Sequence, residues 1–354
     1  MKTLAEWMKT LSKSIITLDT NQHDTLKGIR IALFTVAPLL VGLATNQTSA
    51  GFAVALGAFN LSIPETPDSP TRKLLPLLAL SSVIYAFAFA FGTLVAISGP
   101  FSIPFFGLGF FAAGYLAIRA NSPIIGSTAC VLFSVGVGLP GGGSTAAAWA
   151  RFWQLLAGGL FGLAGASIWA FRPEHNKRSV QKKPAAPPEQ APSNSSMANA
   201  LQFSVAFGLT GAVGLAITQY WGLDRDYWVL LTLAVLLLRS DVSTTPKFIV
   251  LRVIGTIIGA LIGLAVASFL VDPWFLVPFV FAFCALYYAM RGLNYGLGTV
   301  FLTAYILVLI NVLTPGNPQL AATRILNTLV AAGLSFAMVS ALWLFSRRKP
   351  PRCD

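Results

Sequence analysis

Acidic side chains are scarce in this chain and missing from its apolar runs. Twelve Asp and Glu stand among 354 residues, and Glu65, Asp226 and Asp241 come nearest to the apolar cores without entering them. A midplane Asp or Glu relay of the kind that drives many proton-coupled pumps therefore has no residues to run on; coupling would have to use boundary carboxylates. Histidine adds nothing, since His23 and His175 both lie in flanking segments. Cys130 and Cys284 sit within apolar runs, Cys353 is in the tail, and no CxxC pair occurs. Neither a disulfide framework nor a zinc site is supported. Gly141-Gly142-Gly143-Ser144-Thr145 superficially resembles a phosphate loop, but no lysine precedes its Ser-Thr pair, which argues against ATP hydrolysis. With no nucleophile–base pair and no metal cluster, neither an enzyme activity nor a cofactor or bound metal is expected.

What the chain does have is apolar length. Mean hydropathy is +0.72, with 55% hydrophobic and 10% charged residues, far from the composition of a soluble protein. The apolar runs are too long and too many for a globular core. The net charge of +12 could suggest nucleic acid, but its cations lie between apolar spans, so it reads as membrane topology and no nucleic acid is expected. No secretory signal is visible. Leu4, Trp7, Met8, Leu11, Ile15 and Leu18 recur at helical spacing among Lys2, Lys9 and Lys13, which suits an amphipathic helix on a lipid surface.

The punctuation of the chain occurs twice. Ala117-Ile118-Arg119 reappears as Ala289-Met290-Arg291, Gly126 as Gly298, and Arg151 with Gln154 as Arg324 with Asn327, at an offset of 172–174 residues. The expected fold is an all-α integral membrane protein of about twelve transmembrane helices, arranged as two parallel six-helix repeats over 27–171 and 200–345. An amphipathic segment 1–26, a flexible basic linker 172–199 and a basic tail 346–354 complete the layout. Placing both termini in the cytoplasm puts all Lys and Arg except Arg151, Arg225 and Arg324 in or beside cytoplasmic segments.

The stretch 226–263 is the most recognisable. It reads Asp226-Tyr227-Trp228 at a helix start, then Arg239-Ser240-Asp241, Lys247, and Arg252-Val-Ile-Gly255-Thr256-Ile-Ile-Gly259. This resembles the fusaric acid resistance and aromatic acid exporter family, distantly similar to aluminium-activated malate channels. The first half carries the motif only in degenerate form, as Gly51-Phe52 and Ser81-Ser82. The resemblance implies a bacterial inner-membrane exporter of aromatic or other organic acids, often working beside a periplasmic adaptor. A homo-oligomer is also open.

The candidate site residues follow from charge and spacing. Arg151 with Gln154, and Arg324 with Asn327, lie at i and i+3 and so share a helix face about one turn inside the sixth span of each half. Guanidinium beside an amide suits a carboxylate, which accepts two parallel N–H bonds; the competing reading is snorkelling to the outer headgroups. The second apolar run of each half, near 48–63 and 226–239, is short for a span, which marks either a transport path or a tilted helix. Gly255, Gly259 and Gly263 form a close-packing stripe. Arg252 either pairs with Asp241 across the loop or meets anions at the inner mouth. Tyr227, Trp228 and Trp221 are expected in an interfacial aromatic belt. Tyr287, Tyr288, Tyr295 and Tyr305 either stack on an aromatic substrate or pack helices. The function expected is transport of organic carboxylate anions, outward, across the bilayer. A passive anion channel and a non-transporting scaffold of an envelope assembly are the alternatives.

Overall fold

The computed structural model describes residues 24–65, 71–139, 144–171, 197–238 and 245–347. The expected surface helix over 1–18, most of the linker 172–199, the loop bearing Asp241, the glycine run 141–143 and the tail beyond 347 lie outside the described residues.

Twelve α-helices and no strand occur among the described residues. They are α1 Thr25–Ala44, α2 Thr48–Leu61, α3 Thr71–Ile97, α4 Ser102–Arg119, α5 Pro123–Gly138 and α6 Thr145–Ala170. There follow α7 Met197–Tyr220, α8 Tyr227–Leu238, α9 Thr245–Phe269, α10 Pro273–Met290, α11 Tyr295–Leu313 and α12 Gln319–Arg347. Their ends follow local chemistry. Asp24, Asp272 and Asn294 accept hydrogen bonds from Lys27, Trp274 and Gly296 backbone N–H groups, each satisfying an orphan donor of the first turn. At Pro315-Gly316 the chain turns with Gly316 at φ +74°, a conformation glycine adopts without steric cost.

Nine of these helices are long and apolar enough to cross a membrane: α1, α3, α4, α6, α7 and α9 to α12. Their outward faces carry Leu33, Val41, Phe87, Leu108, Ile168 and Leu209, all exposed, as helices bounded by lipid require. The others, α2, α5 and α8, have 14, 16 and 12 residues. At ~1.5 Å per residue α8 is roughly 18 Å long and α2 roughly 21 Å, against a hydrocarbon thickness of ~30 Å. Both second helices are thus short, as their sequences indicated; the brevity of α5 was not anticipated.

The chain forms two compact units. The first comprises 1–83, 154–185 and 250–325; the second comprises 84–153, 186–249 and 326–354. In the first, α1 packs along α2 and α10, and α10 along α11. In the second, α4 packs along α7 and α5, and α5 along α8. Each unit therefore combines the first two helices of one half of the chain with the fourth and fifth of the other.

The core of the second unit explains α8. Val229, Leu230, Leu233, Ala234 and Leu237 pack with Phe106, Phe110, Phe133 and Phe207. A helix apolar on every side is a buried helix, and only Val235 of α8 is not fully buried. This corrects the expectation of an aromatic belt at Tyr227 and Trp228. Both are buried, at 4% and 1% exposure, while Tyr220 and Trp221 are exposed at 88% and 59%. Burial is tolerated because Arg225 donates to the Tyr227 hydroxyl at 3.2 Å and lies 5.6 Å from the Trp228 ring centre.

In the first unit the glycine stripe of α9 lies against α11. A Cβ on Gly255 would approach the Gly296 carbonyl oxygen to 2.8 Å, one on Gly259 would fall on the Val300 carbonyl, and one on Gly263 would meet Leu307 at 3.0 Å. The stripe therefore packs helices, as its spacing indicates.

Candidate functional site

Arg151, near the start of α6, is half-buried and donates to three oxygens of the second unit. These are the Thr93 hydroxyl at 3.0 Å, the Gly136 carbonyl at 3.3 Å and the Leu139 carbonyl at 3.2 Å. Its guanidinium also lies 5.7 Å from the Phe89 ring centre. The last carbonyls of α5 have no partner within their own helix, and Arg151 supplies one from α6. Gln154, one turn further, is half-buried.

Arg324 and Asn327 on α12 are both fully buried. The Asn327 amide donates to the Asp224 and Arg225 carbonyls at 3.0 and 3.1 Å. Arg225 has φ +53°, the left-handed region that costs a residue with a Cβ. Asn327 holds that turn in place, and the turn in turn starts α8.

Asp226 closes the same turn, its carboxylate accepting the Tyr227 N–H at 2.7 Å. Burial raises the Asp226 carboxyl above its ordinary value of 3.8, and that hydrogen bond draws it partly back. The folded chain thus holds this proton more firmly than the unfolded one. Its stabilising contribution is complete below the unfolded value and is lost as pH rises through the folded value. Asp226→Asn keeps an acceptor for Tyr227 and is expected to flatten this decline. Thermal midpoints measured from about pH 4 to 8 across the carboxylate range would show it; parallel profiles for the two proteins would refute it.

Arg252 is 2% exposed on α9, and its Nε has no hydrogen-bond partner among the described residues. Its expected partner Asp241 lies outside them. Asn294 caps α11, and the Asn311 amide donates back to the Leu307 carbonyl at 2.9 Å. Tyr305 is fully buried with its ring stacked on Phe59 at 4.6 Å. Tyr287 and Tyr288 also contact Phe59, at 5.6 and 5.3 Å, so these three tyrosines pack helices.

The constellation that sequence reasoning missed lies entirely in the first unit. Glu65, four residues past the end of α2, is 1% exposed. Its Oε2 receives Arg30 Nη2 at 2.6 Å and lies 3.7 Å from Lys27 Nζ, both from the first turns of α1. Arg30 also stands 5.8 Å from the Trp169 ring centre. Arg291, just past α10, donates to the Ile63 carbonyl at 2.9 Å, the Ser62 carbonyl at 3.4 Å and the Glu65 carbonyl. Its guanidinium lies 4.7 Å from the Tyr288 ring centre, and the Tyr288 hydroxyl donates to the Phe59 carbonyl. The released C-terminal carbonyls of the short α2 are thus gathered by α10. Two cations meet one carboxylate while Arg291 holds the backbone carbonyl of the same residue, and the match is incomplete. Arg30 Nε and Nη1 and Glu65 Oε1 are buried with no hydrogen-bond partner among the described residues.

Two signals pointed here. Arg30 interrupts an apolar run, and Glu65 is an acid at the edge of one. The repeat was misleading instead, because Arg119, the counterpart of Arg291, is exposed.

Nine helices among the described residues are long and apolar enough to cross a membrane, the mark of a multi-pass membrane protein. Residues 212–338 match the family described as fusaric acid resistance protein-like, and they contain the whole of the segment 226–263 that carried the sequence resemblance. The chain is 30% identical over 140 residues to the inner membrane protein YccS of Escherichia coli, a match covering 40% of this chain and 19% of that protein. It is 29% identical over 128 residues to an uncharacterized protein of Haemophilus influenzae, covering 36% of this chain and 18% of the relative. An uncharacterized protein of Neisseria gonorrhoeae is 26% identical over 140 residues, covering 40% of this chain and 33% of the relative. The chain therefore matches about a fifth to a third of the length of these relatives. No solved structure matches it. Its apolar helices and this similarity to an inner membrane protein agree in pointing to a membrane.

Proposed function

We propose that this protein is a twelve-span inner-membrane transporter that exports organic carboxylate anions, aromatic acids among them. The observation that carries this reading is the charge of the interior. Among the described residues, the fully buried charged side chains are Lys27, Arg30, Arg252 and Arg324 against the single carboxylate Glu65. A low-dielectric interior with surplus positive charge draws anions and repels cations. The two halves act as parallel repeats with both termini in the cytoplasm, so the Arg30–Glu65 end of the first unit faces inward. Arg151 and Arg324 then lie toward the exterior and attract the departing carboxylate. Gln154 orients that carboxylate, whereas the Asn327 amide is spent on the Asp224 and Arg225 carbonyls, and Arg252, with Asp241, tunes the inner mouth. Tyr305 backs an aromatic wall within the first unit, where the short α2 borders the path. A periplasmic adaptor and self-association are compatible with this scheme.

Purified protein in liposomes loaded with labelled benzoate tests it. Arg324→Ala is expected to slow efflux by about tenfold, the equivalent of one charge-assisted contact of roughly 1.5–3 kcal/mol, with unchanged insertion and elution as a single species. Efflux at the wild-type rate would end this assignment. A passive channel for the same anions is favoured by the scarcity of buried carboxylates. Unitary conductance steps in a planar bilayer would decide for it.

A further inference from the structure

The Arg30–Glu65 pair is an incompletely satisfied ion pair in a membrane-embedded protein, and that is unusual. A carboxylate opposite arginine normally uses both oxygens on two parallel N–H groups. Here Arg30 and Lys27 converge on the same oxygen, Oε2, while Oε1 and two nitrogens of Arg30 are left over. A buried polar atom without a partner is costly, and native structures retain few of them. Arg291 adds a third positive charge and is anchored through backbone carbonyls, including that of Glu65 itself. Asp24, the other acid beside Lys27, is occupied in capping α1 through the Lys27 N–H. Glu65 stands four residues past the end of α2 rather than within a helix.

We infer that Lys27, Arg30 and Arg291 form a carboxylate-binding site for the transported anion, and that Glu65 occupies it as a displaceable internal competitor. This rests on the reading of the chain as an organic-anion transporter and names where its cargo first binds. The substrate carboxylate takes the place of the Glu65 carboxylate on Arg30, using the donors that Glu65 leaves idle. The partly buried Trp169 ring beside Arg30 receives an aromatic body. Exchange of one carboxylate for another keeps the buried charge nearly constant, which spares the desolvation cost that an added or missing charge would carry.

The test uses the full chain in detergent and benzenesulfonate, which stays ionised throughout the working range. In calorimetric titration, Glu65→Gln is expected to bind it at least tenfold more tightly than wild type, and Arg30→Gln/Glu65→Gln to lose that binding. Glu65→Gln that binds no better, or a double variant that still binds, overturns the proposal. Wild-type protein supplies a second reading that needs no variant to fold. Modification of Glu65 by a hydrophobic carbodiimide, followed by mass spectrometry, is expected to accelerate at least threefold when benzenesulfonate displaces it from Arg30. An unchanged rate overturns the proposal as well. Normal benzoate efflux alongside these negative results would remove the competitor and leave the transport reading standing. Binding and displacement without flux would do the reverse.

Discussion

Glu65→Leu alone is expected to destabilise the protein by about 3–5 kcal/mol, because it leaves Arg30 and Lys27 in the interior without their counter-charge. The double variant Arg30→Met/Glu65→Leu is expected to lose far less, since apolar side chains of similar volume fill the same space without a desolvation cost. Lys27 remains in both, but an ammonium can release its proton when buried, whereas a guanidinium holds its own. Unfolding in mixed micelles by SDS titration measures the difference. Equal losses for the single and double variants would mean that the pair is held by packing rather than charge. The contrast is large because Glu65 is almost fully buried and receives the shortest side-chain ion contact, 2.6 Å, among the described residues.

Gly259→Leu is expected to abolish folding of the first unit. Its first added carbon would fall on the Val300 carbonyl, a backbone atom that no rotamer change can move aside. Overpacking a side-chain contact typically costs about 1–3 kcal/mol; here α9 and α11 must separate, which also breaks the neighbouring contacts of Gly255 and Gly263. The variant is expected to elute as aggregate, with no thermal transition in intrinsic fluorescence. Gly333→Leu is the control, because an added Cβ there meets nothing within 4 Å. A monodisperse Gly259→Leu protein with a normal transition would show that the stripe is not a close contact.

The class of fold and the helices that carry it were legible because lipid leaves the backbone few options. A chain that must satisfy every N–H and C=O within itself becomes helical wherever it is apolar for long enough. Turn residues and helix caps could be read for the same reason: Asp272, Asn294 and Gly316 act through local geometry. The stripe of α9 was legible because glycine every fourth residue has few other uses.

The partners of the arginines were not legible. Spacing placed Arg324 and Asn327 on one face but could not say that Asn327 would spend its amide on the strained turn at Arg225. The matched spacing of Arg151 and Arg324 suggested equal roles, yet Arg151 is engaged with the end of α5. The belt reading failed at Tyr227 and Trp228 because an aromatic residue at a helix start looks the same in sequence whether lipid or protein surrounds it.

Hydrophobic length, a property of neighbours along the chain, determined that this protein lies in a bilayer and is helical. Tertiary structure alone decided that α1 and α2 pack with α10 and α11, drawing Lys27, Arg30, Glu65 and Arg291 together. The reason is physical: Glu65 and Arg291 are 226 residues apart, and a contact over that distance depends on how helices from different halves stack, which no local pattern encodes.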